Sequence, residues 1–184
     1  MNRQNSKVLS GKIGHNADDL STYIDKMAED VVKCLSQRGL KVSFAESCTG
    51  GLLAAALTGV PGASGVFECG IVAYSEQIKS DVLGIPKELI SECGVVSETV
   101  AIAMAIGARL HGRADIGIGI TGIAGPDGGS EAAPVGTVYV SVEYNKQTFT
   151  ENLKLYKLGK MTRREIRLAT VAYCLEAILD AVNG

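Results

Sequence analysis

The sequence predicts an α/β protein: a three-layer α/β/α sandwich around a mixed sheet that includes an antiparallel hairpin. Three observations carry this. Helical and strand periodicities alternate along most of the chain. The segment "DIGIGITG" is too apolar and too rich in isoleucine for a surface strand, so it belongs in the middle of a sheet. Two late strand-like runs, "VGTVYVSVEY" and "TFTENLKLYKL", are separated only by "NKQ", a hairpin signal.

Taken in order, residues 1–17 are polar without sustained period and read as a mobile extension. Residues 18–184 read as one domain. Leu20, Ile24, Met27, Val31 and Leu35 recur at helical spacing, and Gly39 supplies a stop. "KVSFA" is a short strand and "TGGLLAAALTGV" a helix with glycines near its start. "VFECGIVAY" is the next strand, followed by a helix capped by Ser75 and a turn opened by Pro86. Ser97 caps "ETVAIAMAIGARLHG", which is apolar nearly all round and therefore expected to be well buried. After the central strand comes the loop "IAGPDGGSEAAP", then the hairpin. The last helix opens on "TRRE", a capping box from Thr162 to Glu165.

Composition excludes several function classes. The formal net charge of -2 leaves no electrostatic footprint for nucleic acid. Aromatic residues make up 5%, with no Trp, so a base-stacking platform is not expected. The longest apolar run, "VAIAMAIGA", is too short to span a bilayer, and no signal-peptide stretch is visible. The five cysteines are odd in number and form no CxxC pair. They read as reduced thiols of a cytoplasmic protein. His15 and His111 stand apart from any carboxylate or cysteine cluster, so neither a metal nor a cofactor is expected. The exposed edge expected of the hairpin, with the apolar helices, favours a homo-oligomer.

Four segments could carry chemistry. In "AESCTGG" a strand ends on Ser47, Cys48 and Thr49, and two glycines lead into a helix. Free N–H groups there suit an anion or an oxyanion, and Gly50 lets a substrate approach the backbone. Simple helix capping by Ser47 or Thr49 is the competing reading. No GKS or GKT follows, which rejects an ATP-binding P-loop. In "AYSEQIK" Tyr74 ends a strand and Lys79 lies about one turn into the next helix. To act as a base near neutral pH, that lysine must be buried and its pKa held well below the usual range. The alternative is a solvated surface lysine. In "TGIAGPDGG" Thr121, Gly122 and Gly125 sit where α/β sheets place ligands, with Asp127 a candidate ribose partner. In the last helix Arg163 and Arg167 share a face, and arginine suits bidentate phosphate contacts. Glu46 and Asp115 could pair with these cations. A cysteine nucleophile at position 48 would call for a histidine nearby, and histidine is scarce. Serine with a lysine base needs none, which favours Ser47 with Lys79, and Tyr74 relaying the proton or orienting the lysine.

With these segments in hand, "AESCTGG", "YSEQIK", "GVVSETVA", "TGIAGPDGG" and "PVGTVYV", in that order, resemble the CinA C-terminal domain family, the nicotinamide mononucleotide deamidases. The resemblance covers roughly residues 20 to 182. It implies a metal-independent amidohydrolase that converts nicotinamide mononucleotide to nicotinate mononucleotide and ammonia. It assigns Ser47 as nucleophile, Lys79 as base with Tyr74 beside it, and the backbone around Cys48 and Thr49 as oxyanion hole. The glycine loop from Thr121 and an arginine, Arg164 in preference to Arg163, would hold the ribose phosphate. Ala133 stands where the family often has a lysine. Non-catalytic nucleotide binding, or a partner role linked to competence, is the alternative.

Overall fold

The computed structural model describes residues 6–184. Five strands form one sheet in the order β2-β1-β3-β4-β5. They are β1 (Val42–Glu46), β2 (Phe67–Val72), β3 (Ile116–Gly122), β4 (Val138–Tyr144) and β5 (Gln147–Asn152). β1 runs parallel to β2 and β3, whereas β4 and β5 are antiparallel additions. The mixed sheet expected from the sequence is therefore present. Six α-helices flank it among the described residues: α1 (Ala17–Arg38), α2 (Leu52–Thr58), α3 (Glu76–Leu83), α4 (Lys87–Cys93), α5 (Glu98–Gly112) and α6 (Arg163–Asn183).

The sequence of β3 explains the layering. Its alternate residues Ile116, Ile118 and Ile120 enter the core beneath α1 and α6. On the other face stand Gly117 and Gly119, where a Cβ atom would come within 2.0 Å of the Ala105 carbonyl and 2.2 Å of the Ala101 carbonyl. Only glycine lets α5 lie that close to the sheet. α1, α2 and α6 pack together, while α3 and α4 lean on α5. Helix ends follow the caps read from sequence: Ser75, Ser97 and Thr162 each accept a backbone N–H, and the Thr162–Glu165 box is closed on both sides.

The hairpin turn is the two residues Asn145 and Lys146, at φ of 52° and 62°. Such a turn matches the twist of the flanking strands and pins the β4–β5 register. β5 stops at Asn152, earlier than the apolar pattern suggested, and Leu155–Leu158 form a 3-10 turn instead. Likewise α2 begins only at Leu52, because Gly50 and Gly51 take positive φ of 58° and 90°.

The extension needs correction. Residues 1–5 lie outside the described residues, but residues 6–17 are packed rather than loose. Val8 is fully buried and Leu9 nearly so, both in the core cluster of α1 and α6. The buried Glu176 carboxylate accepts from Ser6 Oγ at 2.5 Å, Lys7 N at 2.9 Å and Tyr23 Oη at 2.8 Å. One acidic side chain of α6 thereby fastens both the leading segment and α1.

Val8→Ala should accordingly destabilise the protein by about 1–2 kcal/mol, two buried methyl groups at about 0.8 kcal/mol each. Denaturant unfolding measures it, and a mobile extension would give no change.

Candidate active site

The parallel strands β1, β2 and β3 end on the same edge of the sheet, where this fold class places its chemistry. Ser47 follows β1 directly, and its N–H donates to Ile120 O of β3 at 3.1 Å. Ala73 follows β2, and its N–H donates to Glu46 O at 2.8 Å. The ladder thus runs one step past each strand and fixes both positions before the chain turns.

Lys79 sits one turn into α3. Its side chain points inward beneath the end of β2 and is 0% exposed. Nζ donates to Ala73 O at 2.7 Å and lies 3.2 Å from Ser47 Oγ. The surface-lysine reading is excluded. Burial lowers the Lys79 pKa from its ordinary value, against an opposing pull from Cys48 and Glu76. Among the described residues it forms no ion pair with a carboxylate.

Cys48 competes poorly as a nucleophile. Its thiol is buried and desolvation pushes it up to about 11, although Arg163 and Arg167 pull the other way. It stays protonated at neutral pH. Both histidines lie elsewhere in the chain: His15 bonds Val8 O and His111 is exposed in the last turn of α5.

The helix mouth differs from expectation. Glu46, buried at the end of β1, takes Gly51 N at 3.0 Å, Leu53 N at 3.2 Å and Ala54 N at 2.9 Å. The start of α2 is therefore already filled by an internal carboxylate, which is not paired with an arginine as the sequence allowed. Gly50 N–H donates to Ser47 O at 3.1 Å, so it is not available as an oxyanion donor. Among the described residues the N–H groups of Cys48 and Thr49 have no acceptor on another residue. Thr49 is otherwise buried, with its hydroxyl unpartnered.

Further expectations meet a different geometry. Tyr74 is 61% exposed and makes no hydrogen bond to Lys79. Its hydroxyl instead accepts from Arg163 Nη2 at 3.0 Å. Alternation along the chain explains this: Ala73 turns in and Tyr74 turns out. The Thr121 hydroxyl is buried and donates to Val95 O at 2.6 Å, tying β3 to the approach to α5. Gly122 packs against Val138, where no Cβ fits. Asp115 accepts from Lys41 N, away from the arginines, and Asp127 is exposed.

The arginines sort themselves by helix phase. Arg163 Nη1 donates to Gly125 O at 2.5 Å, so one guanidinium joins the glycine loop to Tyr74. Arg167 Nη2 donates to Thr49 O at 2.8 Å, and its Nε is buried without a partner. Arg164 is exposed and forms no hydrogen bond or ion pair among the described residues. Arg167, on the face shared with Arg163, is the contact that the preference for Arg164 passed over. Neither Arg163 nor Arg167 has a carboxylate partner among the described residues.

Among the described residues no group of three or more His, Cys, Asp or Glu could hold a metal ion, and no helix is long and apolar enough to cross a membrane.

A family model described as the CinA C-terminal domain matches residues 24–182. A putative competence-damage inducible protein of Desulforudis audaxviator is 44% identical over 160 residues, covering 86% of this chain and 38% of that protein. A CinA-like protein of Anaeromyxobacter sp. is 58% identical over 112 residues, covering 61% of this chain and 27% of its own length. The chain thus spans well under half the length of these relatives. Among solved structures, the competence/damage inducible protein CihA from Agrobacterium tumefaciens superposes with TM-score 0.82 at 40% identity, covering 88% of this chain and 96% of that one. The Klebsiella pneumoniae competence damage-inducible protein A gives TM-score 0.81 at 31% identity, with 86% and 96% covered.

The buried amine makes a prediction of its own. Below its lowered pKa the folded protein carries the full penalty of a buried charge, and the penalty vanishes above the unfolded lysine pKa of about 10.4. Lys79→Met should therefore raise stability at neutral pH, with the gain shrinking as pH climbs towards about 10.4. Denaturant unfolding across that range checks it, and a pH-independent difference would contradict it.

Proposed function

The chain belongs to the CinA C-terminal domain family, and from that premise and the site geometry we propose that it is a nicotinamide-nucleotide amidohydrolase. It would hydrolyse the carboxamide of nicotinamide mononucleotide to nicotinate mononucleotide and ammonia. The observation that carries the reading is the Lys79 amine, fully buried, with its pKa lowered and Nζ 3.2 Å from Ser47 Oγ.

In the neutral amine the contact reverses, and the Ser47 hydroxyl donates to the lysine lone pair. Lys79 takes the proton as Oγ attacks the carboxamide carbon. The negative charge that develops on the carbonyl oxygen has the N–H groups of Cys48 and Thr49 to face. Collapse breaks the C–N bond, and Lys79 returns the proton to the departing ammonia. Water then attacks the acyl-serine with Lys79 taking its proton, the C–Oγ bond breaks, Lys79 returns that proton to Ser47 Oγ, and the acid product leaves as its carboxylate, its proton going to solvent. No step calls on a metal or a cofactor.

An anionic substrate is supported by Arg163 and Arg167, two cations near the nucleophile turn whose hydrogen bonds go to neutral acceptors. The Arg167 Nε is buried without a partner, and a charge-assisted hydrogen bond to a ligand anion would satisfy it. The expected homo-oligomer is supported by the exposed apolar Val72, Ile78 and Val82 beside the β2 edge, and a monomeric mass by light scattering would rule it out. Five free cysteines suit a reducing, cytoplasmic setting. The competing reading, nucleotide binding without catalysis, shares the arginines but leaves the lysine's burial unused.

Ammonia release from nicotinamide mononucleotide decides between them. Wild type should release it, with activity rising with pH as Lys79 loses its proton. Ser47→Ala should release none while still binding the nucleotide. Release by both proteins would remove Ser47 as nucleophile. Arg163→Ala should raise KM about ten- to hundred-fold, the loss of one or two hydrogen bonds to a charged group.

A further inference from the structure

We infer that Glu46 is a positioning residue: its carboxylate is an internal anion that holds the nucleophile turn in its reactive shape. The inference rests on Ser47 being the nucleophile. Glu46 is buried at the end of β1, and its own backbone is locked there because its carbonyl accepts from Ala73 N. Both carboxylate oxygens point forward across the turn. Oε2 takes Gly51 N and Leu53 N, and Oε1 takes Ala54 N. These are first-turn donors that have no acceptor inside the helix. Positive partial charge at that end favours a carboxylate over any neutral side chain.

The consequence falls on residues 47–50. The turn is clamped at one end by the β1 ladder, through Ser47 N to Ile120 O, and at the other by Glu46 on the start of α2. Between the clamps, Gly50 N closes back on Ser47 O, and Arg167 holds Thr49 O from outside. That leaves the N–H groups of Cys48 and Thr49, the two residues after Ser47, without an acceptor on another residue. Were Glu46 neutral, the first turn of α2 would be free to bind those residues' acceptors, and the turn would lose its far anchor. A misplacement of about 1 Å at a reacting centre costs on the order of a hundred-fold in rate. Glu46 itself touches no reacting atom in this arrangement.

The test is Glu46→Gln in the full chain, with three readings taken together. A fluorophosphonate counts reactive Ser47 sites, so that folding losses are separated from chemistry. Ammonia release from nicotinamide mononucleotide then gives kcat per labelled site, KM and the pH profile. Amide hydrogen exchange follows Gly51, Leu53 and Ala54, with Phe44 in β1 as internal control. The expected result is a kcat per labelled site about ten- to hundred-fold lower, KM within about three-fold, and an unshifted acidic limb, since Lys79 is untouched. Protection should fall at Gly51, Leu53 and Ala54 but not at Phe44. If Glu46→Gln does not fold, Glu46→Asp, which withdraws the carboxylate by one carbon and keeps the charge, is read the same way. An unchanged kcat per labelled site, or a loss confined to KM, overturns the inference while wild type stays active. A wild type silent towards both substrate and phosphonate overturns the nucleophile reading and this inference with it.

Discussion

The depth at which α5 lies on the sheet governs where the lysine ends up. Gly117 and Gly119 let the helix backbone approach β3 to contact distance. One turn away along α5, Gly107 receives the last turn of α3, where a Cβ would meet Leu83 O at 2.6 Å. Small residues therefore set two successive spacings, sheet to α5 and α5 to α3. α3 carries Lys79, whose amine reaches back under the end of β2 to Ala73 O and Ser47. A larger residue at any of these glycines would move α3 outward and give the amine water in place of its two protein partners. The packing of a remote layer thus helps keep the Lys79 amine buried, and burial is the main cause of its lowered pKa.

The site is assembled from strand ends and two helix starts, and each part is held by a neighbour's backbone. Ser47 hangs from β3, Ala73 from β1, Lys79 from the Ser75-capped helix, and Arg167 from a long helix opened by a closed capping box. Rigid elements thereby carry Ser47 and Lys79, and the glycine loop, latched by Arg163, carries neither of them. That division suits a site in which proton transfer must be exact to a few tenths of an ångström, whereas substrate entry needs freedom.

Much of this was legible in the sequence because it obeys local rules. Caps at Ser75, Ser97 and Thr162, the hairpin around "NKQ" and the central apolar strand are written in short windows. Ser47 and Lys79 were put together by chemistry, since a chain short of histidine has few other bases, and the structure brings the two side chains within 3.2 Å. What escaped depends on direction. Glu46 looked like a partner for arginines, but a strand that runs one residue further turns its carboxylate onto α2. Arg164 was preferred although helical spacing already put Arg163 with Arg167. Thr121 and Tyr74 lie at strand ends, where a period of two decides whether a side chain meets the site, and Thr121 spends its hydroxyl on Val95. Val8 and Leu9 form too short an apolar pair to show any period, and they are buried against α1 and α6, beside Ser6 and Lys7, which Glu176 holds from far along the chain.

The filled mouth of α2 also changes how the protein meets small inorganic ions. Helix starts commonly collect phosphate or sulfate from solution, because their N–H groups lack acceptors. Here Gly51, Leu53 and Ala54 are already spoken for by a side chain that cannot diffuse away. Dissolved oxyanions therefore have no foothold at those three groups, and any binding at this turn falls on the open N–H groups of Cys48 and Thr49 and on the guanidinium groups. The two faces of one turn are separated in their ionic sensitivity: the rear is set by the chain's own covalent structure, and only the front answers to the medium.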